Sequence, residues 1–157
     1  LKITKYNNAV KTYTSPLFRF IYKSLRDEAA SKDIVQDAFV KLWENINTVD
    51  SEKYKSWLFS TSYNLMINYL KRNNKYIAMD VADFKEPTTQ QDEYLKDTIE
   101  MSLAKLPSIQ KSIVLLRDQE GYNYDEIGEM LNLNPSQVKV YLFRARQTVK
   151  NAVKEIY

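Results

Sequence analysis

The sequence predicts an all-α protein: two small helical domains joined by a flexible acidic linker, the second carrying a helix-turn-helix. Apolar side chains recur at helical spacing in nearly every segment. Two glycines and four prolines in 157 residues leave little material for β-turns. Charge is partitioned along the chain, with a net of +6 over residues 1–75, −4 over 76–97 and +1 over 98–157. These blocks give the expected organisation: a first domain at 1–75, a linker at 76–97 and a second domain at 98–157. A hydrophobic content of 44% with 13% aromatics is ample for a core in each.

In the first block Ile3, Tyr6, Val10 and Tyr13, then Leu17, Ile21 and Leu25, follow a helical period. Ser15-Pro16 suits an N-cap followed by Pro at the first helical position, which predicts a kink or restart there. Residues 30–46 form a wide apolar stripe of Ile34, Val35, Ala38, Phe39, Leu42 and Trp43, with Asp33, Gln36, Asp37, Lys41 and Glu44 on the other face. "NTVDSEKY", residues 47–54, breaks the period. It resumes from residue 54 or 55 to about 73 through Trp57, Leu58, Tyr63, Leu65, Met66 and Leu70, and ends on basic residues that suit a helix C-terminus.

The acidic block contains Pro87 and "TTQQ" and reads as a linker, with a helix beginning near Asp92 and running to Lys105. Leu106-Pro107 punctuates the chain. Residues 108–120 form the next helix on Ile109, Ile113, Leu115 and Leu116, and Gly121 fits the left-handed position that follows a helix. Asn123 followed by Glu126 is an Asn-type capping box for a short helix that turns Ile127, Met130 and Leu131 inward. Asn132 tolerates a left-handed conformation. Asn134 and Pro135 then supply an N-cap and a first helical position for a final helix running towards residue 156.

The composition excludes much. With no cysteine there is no disulfide or thiolate chemistry, and with no histidine the usual zinc ligand and neutral-pH base are missing. The carboxylates show no metal-type spacing, so neither catalytic residues nor a metal or other cofactor is expected. No apolar run approaches the roughly 20 residues of a membrane span, and nothing resembles a signal peptide, so a cytoplasmic location is expected. Leu1 in place of Met is consistent with a trimmed natural N-terminus.

Two helices about three residues apart, the first short and the second basic, fit a helix-turn-helix. Residues 134–154 hold five basic side chains and no acid. Gly128, placed mid-helix at a cost of about 1 kcal/mol relative to Ala, would let the second helix cross close by, with Leu133 and Val138 plugging the angle. Ser136, Gln137, Lys139, Val140, Phe143 and Arg144 could then reach bases or phosphates in a major groove. Arg146, Lys150 and Lys154 suit phosphates, which position without specifying sequence. The pattern also fits, less readily, a solvated basic surface helix. A membrane-surface helix fits less well, because Leu142 and Phe143 are too few for a deep apolar face.

Two stretches carry a resemblance. "LPSIQKSIVLLRDQEGYNYDEIGEMLNLNPSQVKVYLFRARQTVK" resembles region 4 of bacterial sigma factors of the extracytoplasmic-function type. "ASKDIVQDAFVKLWENI" followed by "YKSWLFSTSYNLMINYLKRN" resembles region 2 of the same family. Together they span roughly residues 30–73 and 106–150. The resemblance implies a dissociable initiation subunit, not itself an enzyme, that directs RNA polymerase to promoters. It implies that Asp33, Gln36, Asp37, Val40 and Glu44 dock on core polymerase, with Phe39 and Trp43 remaining in the core. It implies that Tyr54, Lys55, Asn64, Lys71 and Arg72 meet −10 promoter DNA, and that the C-terminal helix reads −35 duplex DNA through Ser136, Gln137, Lys139, Val140, Phe143, Arg144, Arg146 and Lys150. Trp57 and Tyr63 suit either a stacking platform or the core, Trp57 more readily the core. Further implications are an anti-sigma partner, a monomeric free state and no insertion into the membrane. The acidic linker, with Asp80, Asp83, Glu86 and Asp92, would thread through the polymerase towards its RNA path.

The chain departs from the family pattern in places. Asn68-Tyr69-Leu70-Lys71 stands where Asp-Tyr-Leu-Arg is common, and "FSTSY" is less basic than usual. Gly128 replaces the commoner Ala, Asn132 the commoner Gly, and Val140 a small polar residue. Two rival readings remain at this level: a helix-turn-helix regulator that binds duplex DNA without polymerase, and a helical adaptor with no DNA role.

Overall fold

The computed structural model describes residues 1–73 and 91–155. Among these it contains seven α-helices and no strand: α1 (Lys2–Leu25), α2 (Glu28–Glu44), α3 (Tyr54–Asn73), α4 (Gln91–Lys105), α5 (Ser108–Val114), α6 (Tyr124–Leu131) and α7 (Pro135–Lys154). Helices α1 to α3 pack on one another, α7 packs on α4, α5 and α6, and the two halves meet mainly where α3 lies against α6. Residues 76–90 of the expected linker, including Asp80, Asp83 and Glu86, lie outside the described residues, as do residues 156–157.

Helix α1 continues through Pro16 as one helix, without the expected restart. Proline inside a helix costs about 3 kcal/mol through the lost N–H and its ring clash. Against that, Ala9 precedes it and Leu17, Phe20, Ile21 and Leu25 follow it in one buried cluster. Each large side chain buried contributes about 1.5–3 kcal/mol, so packing on both sides of Pro16 outweighs the local cost. Arg26, at φ 55°, closes the helix in the left-handed region. Asp27 caps α2 by accepting from the Ala30 amide at 3.0 Å, while the Tyr69 hydroxyl donates to its other oxygen at 3.1 Å.

Helix α2 buries Ile34, Val35, Ala38, Phe39 and Leu42 as its stripe predicts. Trp43 does not join them: it is 46% exposed. Its indole meets the Tyr6 ring edge-on at 5.1 Å. A 3-10 turn at Ser51–Lys53, capped by Asp50, leads into α3.

In the second half, residues 108–120 are α-helical only to Val114, after which Leu115–Gln119 widens to a π-helical turn. The Glu120 amide bonds the Leu115 carbonyl and the Tyr122 amide the Leu116 carbonyl, each at 3.0 Å. The final bond spans one residue more than an ordinary helix-end motif, and Gly121 takes the left-handed conformation at φ +78°. Asn123 and Glu126 form the capping box at the start of α6. Asn132 is left-handed at φ 58°, ψ 49° and turns the chain towards α7. Gly128 is required by the turn itself: a Cβ there would lie 2.5 Å from the Leu133 carbonyl oxygen, a backbone atom rather than a side chain of the second helix.

Candidate nucleic-acid interface

Helix α7 divides cleanly into two faces. Val138, Leu142 and Ala145, spaced at helical period, are buried. Ser136, Lys139, Val140, Phe143, Arg144 and Lys150 are exposed. The exposed side carries cations at its edges and apolar groups at its centre, with Val140 46% and Phe143 68% exposed. Lys139 Nζ sits 5.5 Å from the centroid of the Tyr124 ring, whose neighbourhood also holds Arg117 at 4.9 Å. Arg144 reaches to 6.0 Å from the Tyr141 ring.

Two of the residues expected on this face are committed elsewhere. The Gln137 side-chain oxygen accepts from the Asn134 amide at 2.9 Å, and the Asn134 side chain accepts from the Gln137 amide at 2.8 Å. These bonds make a second capping box. The N-x-x-Q spacing is visible in the sequence, so the signal was there to be read. Arg146 forks onto Asp118 through both Nε and Nη2. That hydrogen bond, the largest influence on it, raises the Arg146 pKa. Arg146 therefore braces α7 against the π-helical turn.

The residues expected at a −10 element all lie on α3. Asn64, Lys71 and Arg72 are exposed. Tyr54 is 4% exposed and belongs to the core, so it offers no ring to a base. Phe59 is wholly buried, while Trp57 and Tyr63 are half-buried against the core. Lys55 pairs with Glu126 of α6, and its ammonium lies 4.4 Å above the Tyr122 ring. Lys53, not singled out in the sequence, pairs with Glu129 of α6 at 3.2 Å.

These pairs belong to a larger seam between the two halves. Arg19 forks onto Glu120 at 2.9 and 3.2 Å, Lys23 bonds Gln119, and the buried Lys111 ammonium donates to the Ser24 carbonyl at 3.2 Å. At its centre the Tyr122 ring meets Phe59 edge-on at 5.4 Å. Burial first, and the Glu120 charge second, push the Tyr122 hydroxyl up to about 12. The bond from Lys55 is the main cause holding Glu126 below its ordinary value, assisted by the Asn123 amide against the opposing effect of burial. Basic groups of the first half thus meet acidic groups of the second.

Away from this seam, Asp33, Gln36, Asp37, Val40 and Glu44 are all exposed on α2, and Trp43 extends their surface. Among the described residues no group of three or more carboxylates is placed to hold a metal ion, and no helix is long and apolar enough to cross a membrane.

The model of sigma-70 region 2 matches residues 9–76, and that of sigma-70 region 4 matches residues 96–149. The chain is 24% identical over 144 residues to the ECF RNA polymerase sigma factor SigM of Bacillus subtilis, covering 88% of each. It is 25% identical over 165 residues to SigW of the same organism, covering 94% of this chain and 88% of SigW. Among solved structures it resembles the sigma factor RpoE, in complex with the anti-sigma factor NepR, from Bartonella quintana. That match has a TM-score of 0.71 at 18% identity and covers 95% of this chain and 96% of the other. It also resembles CnrH, in complex with the cytosolic domain of CnrY, with a TM-score of 0.72 at 20% identity over 96% and 88% of the two chains.

Proposed function

Since the chain belongs to the sigma-70 family as an RNA polymerase sigma factor of the extracytoplasmic-function type, we propose that it brings core polymerase to promoters by gripping two DNA elements with two helical domains. Residues 1–75 hold polymerase and capture the melted −10 strand, 76–97 link, and 98–157 read the −35 duplex. The observation that carries this reading is the occurrence, in one chain, of an α7 outer face edged by cations and an exposed acidic-apolar stripe on α2.

On α2, Asp33, Gln36, Asp37, Val40 and Glu44 dock on polymerase, with Trp43 as a large apolar contact among them. Aromatic side chains at the centre of an interface often carry much of its energy. On α7, Ser136, Lys139, Val140, Phe143 and Arg144 face the −35 duplex and Lys150 a phosphate. Gln137 and Arg146 set the angle at which the helix is presented. At −10, Asn64 contacts the displaced strand while Lys55, Lys71 and Arg72 hold its backbone. Lys53 joins them.

For Lys53 and Lys55 to meet DNA, Glu129 and Glu126 must give way. Partly exposed ion pairs contribute at most about 1 kcal/mol each, and a strand of phosphates offers both lysines replacement partners. Promoter capture is therefore coupled to separation of the two halves. An anti-sigma partner, of the kind bound by the Bartonella relative, would act by covering these faces, and the free chain is a monomer.

The test is to mix the purified chain with core RNA polymerase on a gel-filtration column at moderate salt. Co-elution, abolished by Asp37→Lys with Trp43→Glu, is expected. A chain that runs alone yet shifts duplex DNA would be an ordinary helix-turn-helix regulator, and the role given to α2 would be wrong.

A further inference from the structure

We infer that the centre of the α7 recognition face reads methyl groups: Val140 and Phe143 form an apolar pair that selects thymines on neighbouring base steps of the −35 duplex. The inference rests on the −35 reading above and names the chemistry of its specificity. Four observations carry it. Val140 and Phe143 are three residues apart, which places them on one face about 5–6 Å from each other. They are 46% and 68% exposed while the opposite face is buried. Gln137, whose amide could have paired with adenine, is held in the capping box instead. Lys139 and Arg144 flank the pair, and residues 134–154 contain no acid, so the surroundings favour a polyanion.

Single apolar residues on a surface need no explanation. An adjacent pair at the centre of a basic recognition face does, because water contact there costs free energy that only an apolar partner recovers. In the major groove the apolar group of an ordinary base is the thymine C5 methyl, projecting from the base edge beside the O4 acceptor. The separation of the two side chains exceeds one base-pair rise of about 3.4 Å and falls short of two. The pair therefore spans neighbouring steps, on the same strand or on opposite strands. A protein surface is the other occupant such a pair could have, but the flanking cations and the absence of acid argue for DNA.

The experiment uses the full chain bound to core polymerase. A duplex pool randomised over about twelve base pairs is selected for binding, and the most enriched duplex is remade with uracil replacing one thymine at a time. Uracil keeps every hydrogen-bonding group and lacks only the methyl. The enriched duplex should carry thymines on neighbouring steps. Each replacement there should weaken binding about fourfold, as expected for one methyl-sized group losing its burial. Val140→Ala should remove the uracil effect at one step and Phe143→Ala at the other, with Phe143→Leu retaining it. Both side chains are exposed, so unchanged thermal unfolding of the variants serves as the folding control.

Equal affinity for thymine and uracil duplexes would overturn the inference, and so would a uracil effect that survives the double alanine variant. So would a double variant that binds DNA normally but no longer co-elutes with polymerase, which would assign the pair to a protein contact. If no duplex is enriched while co-elution persists, the −35 reading itself fails and takes this inference with it.

Discussion

Asn132 illustrates how one backbone angle governs the readout face. It sits at φ 58° between α6 and α7, where an L residue without a short polar side chain is penalised by roughly 1–2 kcal/mol. Asn132→Ala should therefore destabilise the protein by about 1 kcal/mol, and Asn132→Gly should be near neutral, both read from thermal unfolding. Four residues earlier, Gly128→Ala gains helix propensity but drives a Cβ against the Leu133 carbonyl, 2.5 Å away. Backbone cannot swing aside as a side-chain tip can. The expected result is a net loss of about 1–2 kcal/mol, together with weaker duplex binding as the turn shifts. Both residues were legible in sequence as special positions. The atom that Gly128 avoids was not, because the sequence does not say which neighbour approaches.

At the scale of elements, α7 is positioned by its ends as much as by its buried face. The Asn134–Gln137 capping box closes its first turn, and the Arg146–Asp118 fork ties its fourth turn to the π-helical segment. Asn134→Ala should cost about 1 kcal/mol of stability, in the ordinary range for a lost N-cap. Gln137→Ala should lower stability slightly and leave discrimination among duplexes unchanged, whereas Lys139→Glu should abolish duplex binding at moderate salt. A loss of base preference in Gln137→Ala would show that the glutamine leaves its cap to read DNA. Helix spans followed from hydrophobic periodicity, but the path of α1 through Pro16 and the exposure of Trp43 did not. The first depends on burial on both sides of the proline. The second depends on how far α1 extends over α2, a contact between elements distant in sequence.

The molecule as a whole is held closed by a seam in which basic and acidic groups alternate with an aromatic contact. Glu120 is the sensitive member, since its side chain is only 6% exposed and its charge is met by Arg19. Arg19→Ala leaves that carboxylate nearly buried without its fork and should destabilise the closed packing by about 1–3 kcal/mol. Lys53→Ala, whose pair is exposed on both sides, should cost a few tenths. Glu126→Gln with Glu129→Gln should raise the open fraction and strengthen binding of single-stranded −10 DNA severalfold. Opening is measurable by energy transfer between dyes on Thr12→Cys and Asn151→Cys, because the chain has no cysteine of its own.

The seam also responds to pH. Glu126 lies below its ordinary value of 4.5, so its contribution is fully present above that value and is lost as pH falls through the lowered one. Tyr122 is raised from 10.0 to about 12, so its contribution is fully present below 10.0 and is lost as pH rises towards 12. The closed form should therefore be firmest between 4.5 and 10.0. In an alkaline absorbance titration, one tyrosine that titrates near 12 in the parent chain should be missing from Tyr122→Phe.

The sequence alone determined the helical class, the capping residues of the last two helices apart from Gln137, most of the buried stripes and the family, because each is written in local spacing and residue type. It also located the helix-turn-helix and most of its outward side chains, since a helix with one buried face must expose the other. Tertiary structure decided which of those side chains are available. Gln137, Arg146, Lys55 and Tyr54 all read as candidates for DNA, yet each is engaged by a cap, an acid or the core. For Arg146, Lys55 and Tyr54, the partners lie on other elements brought alongside only by folding. The closed seam belongs to the same class: its charges are evident along the chain, but which pairs form depends on two helical bundles meeting face to face.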